Sequence, residues 1–286
     1  MASVRIVTDS THYLPQGGEH PLDFDVVSLY VNEGGETTRE AEIELGPFYE
    51  RLRAADDLPT TSQPSIGDFL AVYEPLLAAG QDIVSVHISG GISGTIETAR
   101  QAAEECLRTY PDRQVLVVDS GTAGGGLGMI VLAAAAGARA GAAAEVVAAR
   151  AEEAKRLQKI WFAVDTLEYL RRGGRIGSAA AMLGGALKIK PILTMDGEIT
   201  PIERVRTAGR AYQRLIDFAT ELKDEGADAW MIAHIQAPDE AARLAGDITE
   251  LFGHGPFCIS ELGPVIGSHV GPGLLAVGGV PARLLG

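Results

Sequence analysis

The segment Ile83-Val84-Ser85-Val86-His87-Ile88-Ser89-Gly90-Gly91-Ile92-Ser93-Gly94-Thr95 decides the fold class. An apolar run ends in a turn of small residues, and a helical pattern opens at once with Ile96, Ala99, Ala102, Ala103, Cys106 and Leu107. The first N–H groups of such a helix lack partners within it, and with the helix dipole they favour an anion. Gly94 lets a ligand approach the backbone, while Ser93 and Thr95 add hydroxyls. No Lys or Arg lies in the turn, which suits one carboxylate better than a polyphosphate. Without a ligand, Ser93 reads as an ordinary helix N-cap. The residues allow both readings.

Outward from this segment the strand-to-helix pattern repeats. Residues 4–7 form a strand ending in Thr8-Asp9-Ser10-Thr11, and residues 26–31 form another, with a turn at 32–35. A helix opens near Pro47, and Ser65 caps the next through a capping box with Asp68. Strands at 83–88 and 114–118 lead into helices, the second through Asp119-Ser120-Gly121-Thr122. This predicts an α/β protein whose N-terminal, mostly parallel sheet carries helices on both faces. Three strand ends are rich in Ser, Thr and Asp. In open α/β sheets ligands gather at carboxyl ends, although these residues also favour turns on their own account.

Past Lys159 the pattern changes. Residues 160–164 form a strand, and 189–195, Asp196-Gly197 and 198–202 read as a hairpin with a type I′ turn. Helices follow at 207–225 and 238–252, with strands at 229–235, 265–269 and 274–280. These make a second, smaller α/β domain with antiparallel pairing. The expected division is 1–160 and 161–286.

The 286 residues are enough for two domains, and 46% hydrophobic content predicts a packed globular chain. A net charge of −14 argues against nucleic acid or an anionic membrane as a general partner. The average conceals a basic island. From Asp165 to Arg214 nine Lys or Arg oppose five Asp or Glu, a local +4 that leaves −18 on the remainder. Cys106 and Cys258 are too few for a disulfide framework and lack metal-ligand spacing to His. The first residues carry no apolar signal block, and the Ala- and Gly-rich stretch 124–149, broken by Arg139 and Glu145, reads as two packed helices. The expectation is a cytoplasmic protein without stable membrane insertion, metal or cofactor.

No P-loop motif is present, and Gly271-Pro272-Gly273-Leu274-Leu275-Ala276 lies too near the C-terminus to be a dinucleotide fingerprint. Gly91-Ile92-Ser93-Gly94-Thr95 differs from a nucleophile elbow by Thr95 at the final glycine. A serine hydrolase would use Ser93, with His269 as base and Asp165 or Asp228 to orient it. His269, in Gly267-Ser268-His269-Val270-Gly271, reads either as a backbone-bonded turn histidine or as a donor to an anion. Thr60-Thr61-Ser62-Gln63-Pro64-Ser65 is either a capped helix start or a clamp on a polar group. In the island, which also holds Lys188, Lys190, Arg204, Arg206, Arg210 and Arg214, Arg175 follows two glycines and so projects a guanidinium from an adaptable turn. Arg210 and Arg214 read as a solvated helix face.

Taken in order, these segments resemble the DegV family, which includes the fatty-acid-binding subunits of bacterial fatty acid kinase. The resemblance rests on Thr8-Asp9-Ser10, Thr61-Ser62-Gln63-Pro64-Ser65, Ser93-Gly94-Thr95 and Val118-Asp119-Ser120. It continues through Leu167-Glu168-Tyr169-Leu170, Gly173-Gly174-Arg175-Ile176, Lys190-Pro191-Ile192, Val205-Arg206-Thr207 and His269-Val270-Gly271-Pro272-Gly273. It implies a two-domain carrier that buries one long-chain fatty acid in a cavity between the domains. The ligand carboxylate would be held by Thr61 and Ser62, by Ser93 with Gly94 and Thr95, and by His269. A separate ATP-using acyl kinase subunit would phosphorylate that carboxylate, so the chain itself would be a substrate-binding subunit for phospholipid metabolism. Arg171, Arg172, Arg175 and Arg206 would form the docking surface. The family often has Ser-Ser where this chain has Ser89-Gly90-Gly91, which leads to the expectation of a looser turn.

Overall fold

The computed structural model describes residues 3–15, 23–184 and 189–286. A four-stranded parallel sheet is built from β1 (Val4–Asp9), β2 (Asp25–Val27), β6 (Asp82–His87) and β7 (Val115–Asp119), in the order β2-β1-β6-β7. A three-stranded antiparallel sheet joins β3 (Tyr30–Glu33), β4 (Glu36–Arg39) and β5 (Thr60–Ser62). The third sheet holds β8 (Lys159–Ala163), β9 (Lys190–Asp196), β10 (Glu198–Val205), β11 (Ala229–His234), β12 (Cys258–Glu261) and β13 (Leu275–Val280). Its order is β10-β9-β8-β13-β11-β12, antiparallel except for the β11–β12 pair.

The helices are α1 (Leu45–Ala54), α2 (Ile66–Ala78), α3 (Thr95–Thr109), α4 (Gly125–Arg139), α5 (Ala144–Leu157), α6 (Glu168–Arg172), α7 (Ala208–Asp224), α8 (Pro238–Phe252) and α9 (Pro264–Val270). The capping box at Ser65 forms as its spacing predicts, with Ser65 and Asp68 each binding the other's backbone N–H. Helix α4 is apolar all round and buried against strands of the first and third sheets. That placement answers the Ala- and Gly-rich stretch: small side chains let the helix lie close to both sheets. Among the described residues no helix is long and apolar enough to cross a membrane. One hydrophobic cluster runs from Ile6 through Ile130 and Phe162 to Leu285 and joins both halves of the chain.

Three local expectations are corrected. The single strand expected at 26–31 is two strands in two sheets. The chain leaves the first sheet at Ser28-Leu29, where Leu29 N donates to Ser10 Oγ and Leu29 O accepts from Glu40 N. The type I′ turn expected at Asp196-Gly197 is absent: Asp196 keeps a negative φ, Gly197 has φ 75°, and pairing closes at Asp196–Glu198. Positive φ at two successive turn residues occurs instead at Gly34 and Gly35, 61° and 85°, between β3 and β4.

The third correction matters most for the site. The strand expected at 265–269 is helix α9. Pro264 suits the first helical position, where no N–H is needed, and Ser268 Oγ donates to Pro264 O, one turn back, at 2.8 Å. The β-branched Val265, Ile266 and Val270 favour a strand by propensity, but the helix sets Val265 above His269 and Ile266 above Val270 by i, i+4 spacing.

Candidate functional site

Strands β6 and β7 end side by side, and the turns after them enter a cavity of about 260 Å³. Ile88 and Ile92 line it from one turn, and Thr122, Ala123, Gly124 and Gly125 from the other. Across from them stand Ile160, Phe162, Met195, Ile199, Ala233 and Ala276 of the third sheet, and Val265, Ile266 and Val270 of α9. The wall is therefore mostly apolar and is drawn from both halves of the chain.

Besides Thr122, its polar groups are Thr61, Ser62 and Gln63 at the end of β5, Ser93 and Gly94 at the start of α3, Arg175 and His269. Thr61 Oγ1 lies 2.7 Å from His269 Nε2 although 208 residues separate them. β5 is placed for this by pairing Val31 with Thr61, and Pro64 and the Ser65 cap then turn the chain into α2. Ser62 Oγ accepts from Asn32 Nδ2 at 2.8 Å. Ser93 Oγ is bonded to Thr95 Oγ1 at 2.8 Å. The N-cap of α3 is Gly94, with no side-chain cap bond, so the N-cap reading of Ser93 is overturned. Thr95 is fully buried and does not line the cavity; its hydroxyl holds Ser93 instead.

Burial, reinforced by Arg175, pulls the imidazole of His269 down to about 4, so it is neutral near pH 7. Its Nδ1 is buried without a hydrogen-bond partner among the described residues and packs on Gly173, where a Cβ would overlap it. Among the described residues lining the cavity, Arg175 alone carries a charge. Its Nε donates to Ile92 O at 3.2 Å and its Nη1 to Gly173 O at 2.9 Å, so the guanidinium is fixed beside the Ser93 turn.

The serine-hydrolase constellation is not assembled. Ser93 bonds Thr95 and His269 bonds Thr61. Asp165 pairs with Lys190 at 2.5 Å, and Asp228 accepts from Ala282 N. The Asp of the first strand end is also elsewhere. Asp9 is buried beneath the site and accepts from Thr11, His87 and Ile88 N. Gln63, inside the segment singled out in the sequence but not chosen from it, lies over Gly94 and donates to Thr98 Oγ1 at 2.7 Å.

The basic island is largely paired internally. Arg171 binds Glu168, Arg172 reaches Asp56 O, and Arg204 reaches Ala181 O. Arg214 is not a solvated residue: it pairs with Glu203 and Asp217 and lies over the Trp161 ring. Arg206 and Arg210 are exposed, and Lys188 lies outside the described residues. The Gly90-Gly91 turn is pinned rather than loose. Ser89 Oγ donates to Gly197 O at 2.5 Å, Gly197 N donates to Gly121 O at 2.8 Å, and a Cβ on Gly91 would overlap Gly197 O.

A family model for uncharacterised proteins of the DegV family matches residues 3–282. The chain belongs to the DegV family. A DegV domain-containing protein of Streptomyces coelicolor is 40% identical, the match covering 96% of this chain and 97% of that protein. Among solved structures, a DegV family protein from Thermus thermophilus described for its fatty acid binding superimposes with a TM-score of 0.86 at 37% identity, covering 98% of this chain and 99% of the other. DegV of Bacillus subtilis, described as a fatty acid binding protein, gives 0.84 at 35% identity, covering 97% and 99%. The mixed architecture described above is the DegV fold.

Proposed function

We propose that this DegV protein is a carrier for one long-chain fatty acid whose carboxylate is gripped by Thr61, Ser62, Ser93 and Gly94, with His269 orienting the Thr61 hydroxyl and Thr95 holding Ser93 in place. The observation that carries the reading is the meeting of Thr61 and His269 at the polar end of an otherwise apolar cavity. A neutral imidazole protonated at Nε2 donates to Thr61 Oγ1, which leaves the threonine proton for a carboxylate oxygen. Arg175 supplies the compensating charge nearby. The acyl chain provides most of the affinity: at about 0.8 kcal/mol per buried methylene, a C16–C18 tail contributes roughly 10 kcal/mol. The fatty-acid-binding relatives from Thermus thermophilus and Bacillus subtilis support the same assignment.

The finer part of the proposal is that a separate ATP-dependent acyl kinase phosphorylates the bound carboxylate, with 1–160 and 161–286 as the two domains flanking the ligand. Its docking surface would be the rim carrying Arg171, Arg172, Arg175 and Arg206. Of these Arg206 is exposed, with no side-chain bond or ion pair among the described residues. An orphan lipid carrier without a kinase is the alternative.

Denaturing mass spectrometry of lipid extracted from the purified protein tests the first part. A stoichiometric long-chain acid is expected; recovery of none, together with no uptake of added palmitate, refutes it. Turnover by the cognate kinase with Arg206→Glu tests the second, and unaltered phosphorylation argues against docking there. Fluorophosphonate should leave Ser93 unlabelled.

A further inference from the structure

We infer that Glu40 is a positioning residue for the head-group grip: it fixes the start of α9 and so places His269 against Thr61. The inference rests on the fatty-acid reading above. Glu40 follows β4 directly, opens a short 3-10 turn and does not line the cavity. Its side chain is only 5% exposed, yet it is bonded on both oxygens. Ser10 Oγ donates to Oε2 at 2.5 Å, while Tyr13 OH and Val265 N donate to Oε1 at 2.5 and 2.8 Å. Tyr13 OH also accepts from Ile266 N at 3.3 Å. The first two N–H groups of α9 are thus taken by side chains from the opposite end of the chain, because Pro264 before them has none.

The clamp has little slack. Tyr13 has φ 42°, an uncommon left-handed conformation for a bulky residue, and its carbonyl accepts from Ser260 Oγ at 2.5 Å. Tyr49 OH donates to Leu262 O at 2.7 Å just before the helix. A Cβ on Gly263 would come within 2.9 Å of Glu40 Oε1 and overlap the Tyr13 ring. Helix α9 is seven residues long, so a tilt at Val265 reaches His269 one turn later without an intervening joint. Burial pushes the Glu40 carboxyl up to about 7 even with three donors around it. A hydrophobic residue could fill that space without such a cost, but it would leave Ser10, Tyr13 and Val265 N without an acceptor.

The test uses the delipidated full-length protein, two probes and one spectrum. The probes are cis-parinaric acid and the corresponding alcohol, which share a tail and differ in the group being gripped. The spectrum is the ¹⁵N imidazole signal of His269 in the ligand-free state. Glu40→Ala should weaken the acid about tenfold, leave the alcohol within about twofold, and move the His269 Nε2 signal toward that of an unbonded imidazole. Glu40→Gln keeps the acceptor for Val265 N and should recover most of the acid affinity. Equal loss of both probes, or an unmoved His269 signal, overturns the inference. Should Glu40→Ala fail to fold, Tyr13→Phe takes its place with the same expected direction. Should the wild type bind neither probe, the fatty-acid reading falls, and the His269 signal of the ligand-free variants still decides the positioning role.

Discussion

Asp9 Oδ2 lies 3.1 Å from His87 Nδ1, and both side chains are completely buried. His87 Nε2 continues to Ser85 Oγ at 2.6 Å, which also accepts from Tyr73 OH at 2.7 Å. An acid, an imidazole and a serine thus stand in sequence, but none of the three lines the cavity beside Ser93, and together they tie β1 to β6. Burial pushes the Asp9 carboxyl up, while His87, Thr11 and Ile88 N more than offset it and hold it below the ordinary value. His87→Ala takes one partner from a buried carboxylate that keeps Thr11 and Ile88 N as donors. It should cost about 1–3 kcal/mol in urea unfolding at pH 7. A loss near zero would show that the contact contributes nothing to stability.

Thr61→Val keeps the shape of the residue and deletes the hydroxyl that His269 contacts. Calorimetric titration with palmitate should show a loss of about 1–3 kcal/mol, since a charged carboxylate loses one donor. The apolar wall of the cavity is untouched, so binding should weaken without vanishing. Undiminished affinity would remove Thr61 from the grip.

Two groups of opposite sign shape the pH dependence of the ligand-free protein. His269 is lowered to about 4 by burial and by Arg175, so the fold favours its neutral form. Its contribution is complete above the unfolded value near 6.5 and is lost as pH falls toward 4, amounting to about 2 kcal/mol at pH 5. His12, lowered to about 4 by burial against a weaker upward pull from Asp9, acts in the same direction. Glu40 is raised to about 7 by burial, so its contribution is present below the unfolded value and lost as pH rises through 7. The wild-type profile should be flattened by this opposition, and variants should separate the parts. In urea titrations at pH 5, 6.5 and 8, His269→Gln should lose less stability than wild type on acidification. Glu40→Gln should gain on wild type above pH 7. Parallel profiles for His269→Gln and wild type would exclude the first assignment.

The sequence showed what depends on local pattern and left unread what depends on distant pairing. Strand 83–88, the capping box at Ser65 and helix 238–252 are written in neighbouring residues, and each formed. Helix α9 was not legible, because Val265, Ile266 and Val270 are β-branched and favour a strand by propensity; its stop at Gly271 and its start at Pro264 were the available signals. Ser93 and His269 stand out in the sequence by their glycine-flanked segments and both line the cavity, whereas the contacts of Gln63 and Glu40 are announced by no spacing. The Ser, Thr and Asp residues at strand ends were a mixed signal. After β6 and β7 Ser93 and Thr122 line the cavity, whereas Ser89, Asp119 and Ser120 do not, and after β1 Asp9 ties the two strand ends together.

Two glycines of the Ser89–Thr95 turn allow a contrast between backbone and side-chain crowding. A Cβ on Gly91 would overlap Gly197 O, which belongs to the tip between β9 and β10 and is held by Ser89 and Gly121. That tip cannot yield alone, and Met195 and Ile199 beside it line the cavity. Gly91→Ala should therefore cost about 1–3 kcal/mol of stability and lower acyl affinity with it. A Cβ on Gly94 would first meet the amide end of Gln63, an exposed side chain tethered by one bond to Thr98. Swinging that amide aside gives up one partly solvated hydrogen bond, so Gly94→Ala should cost about 1 kcal/mol or less. The order of the two variants in thermal unfolding is the measurement. If Gly94→Ala proves the more damaging, the hairpin tip is not pinned on the turn, and Met195 and Ile199 owe their places in the cavity wall to other contacts.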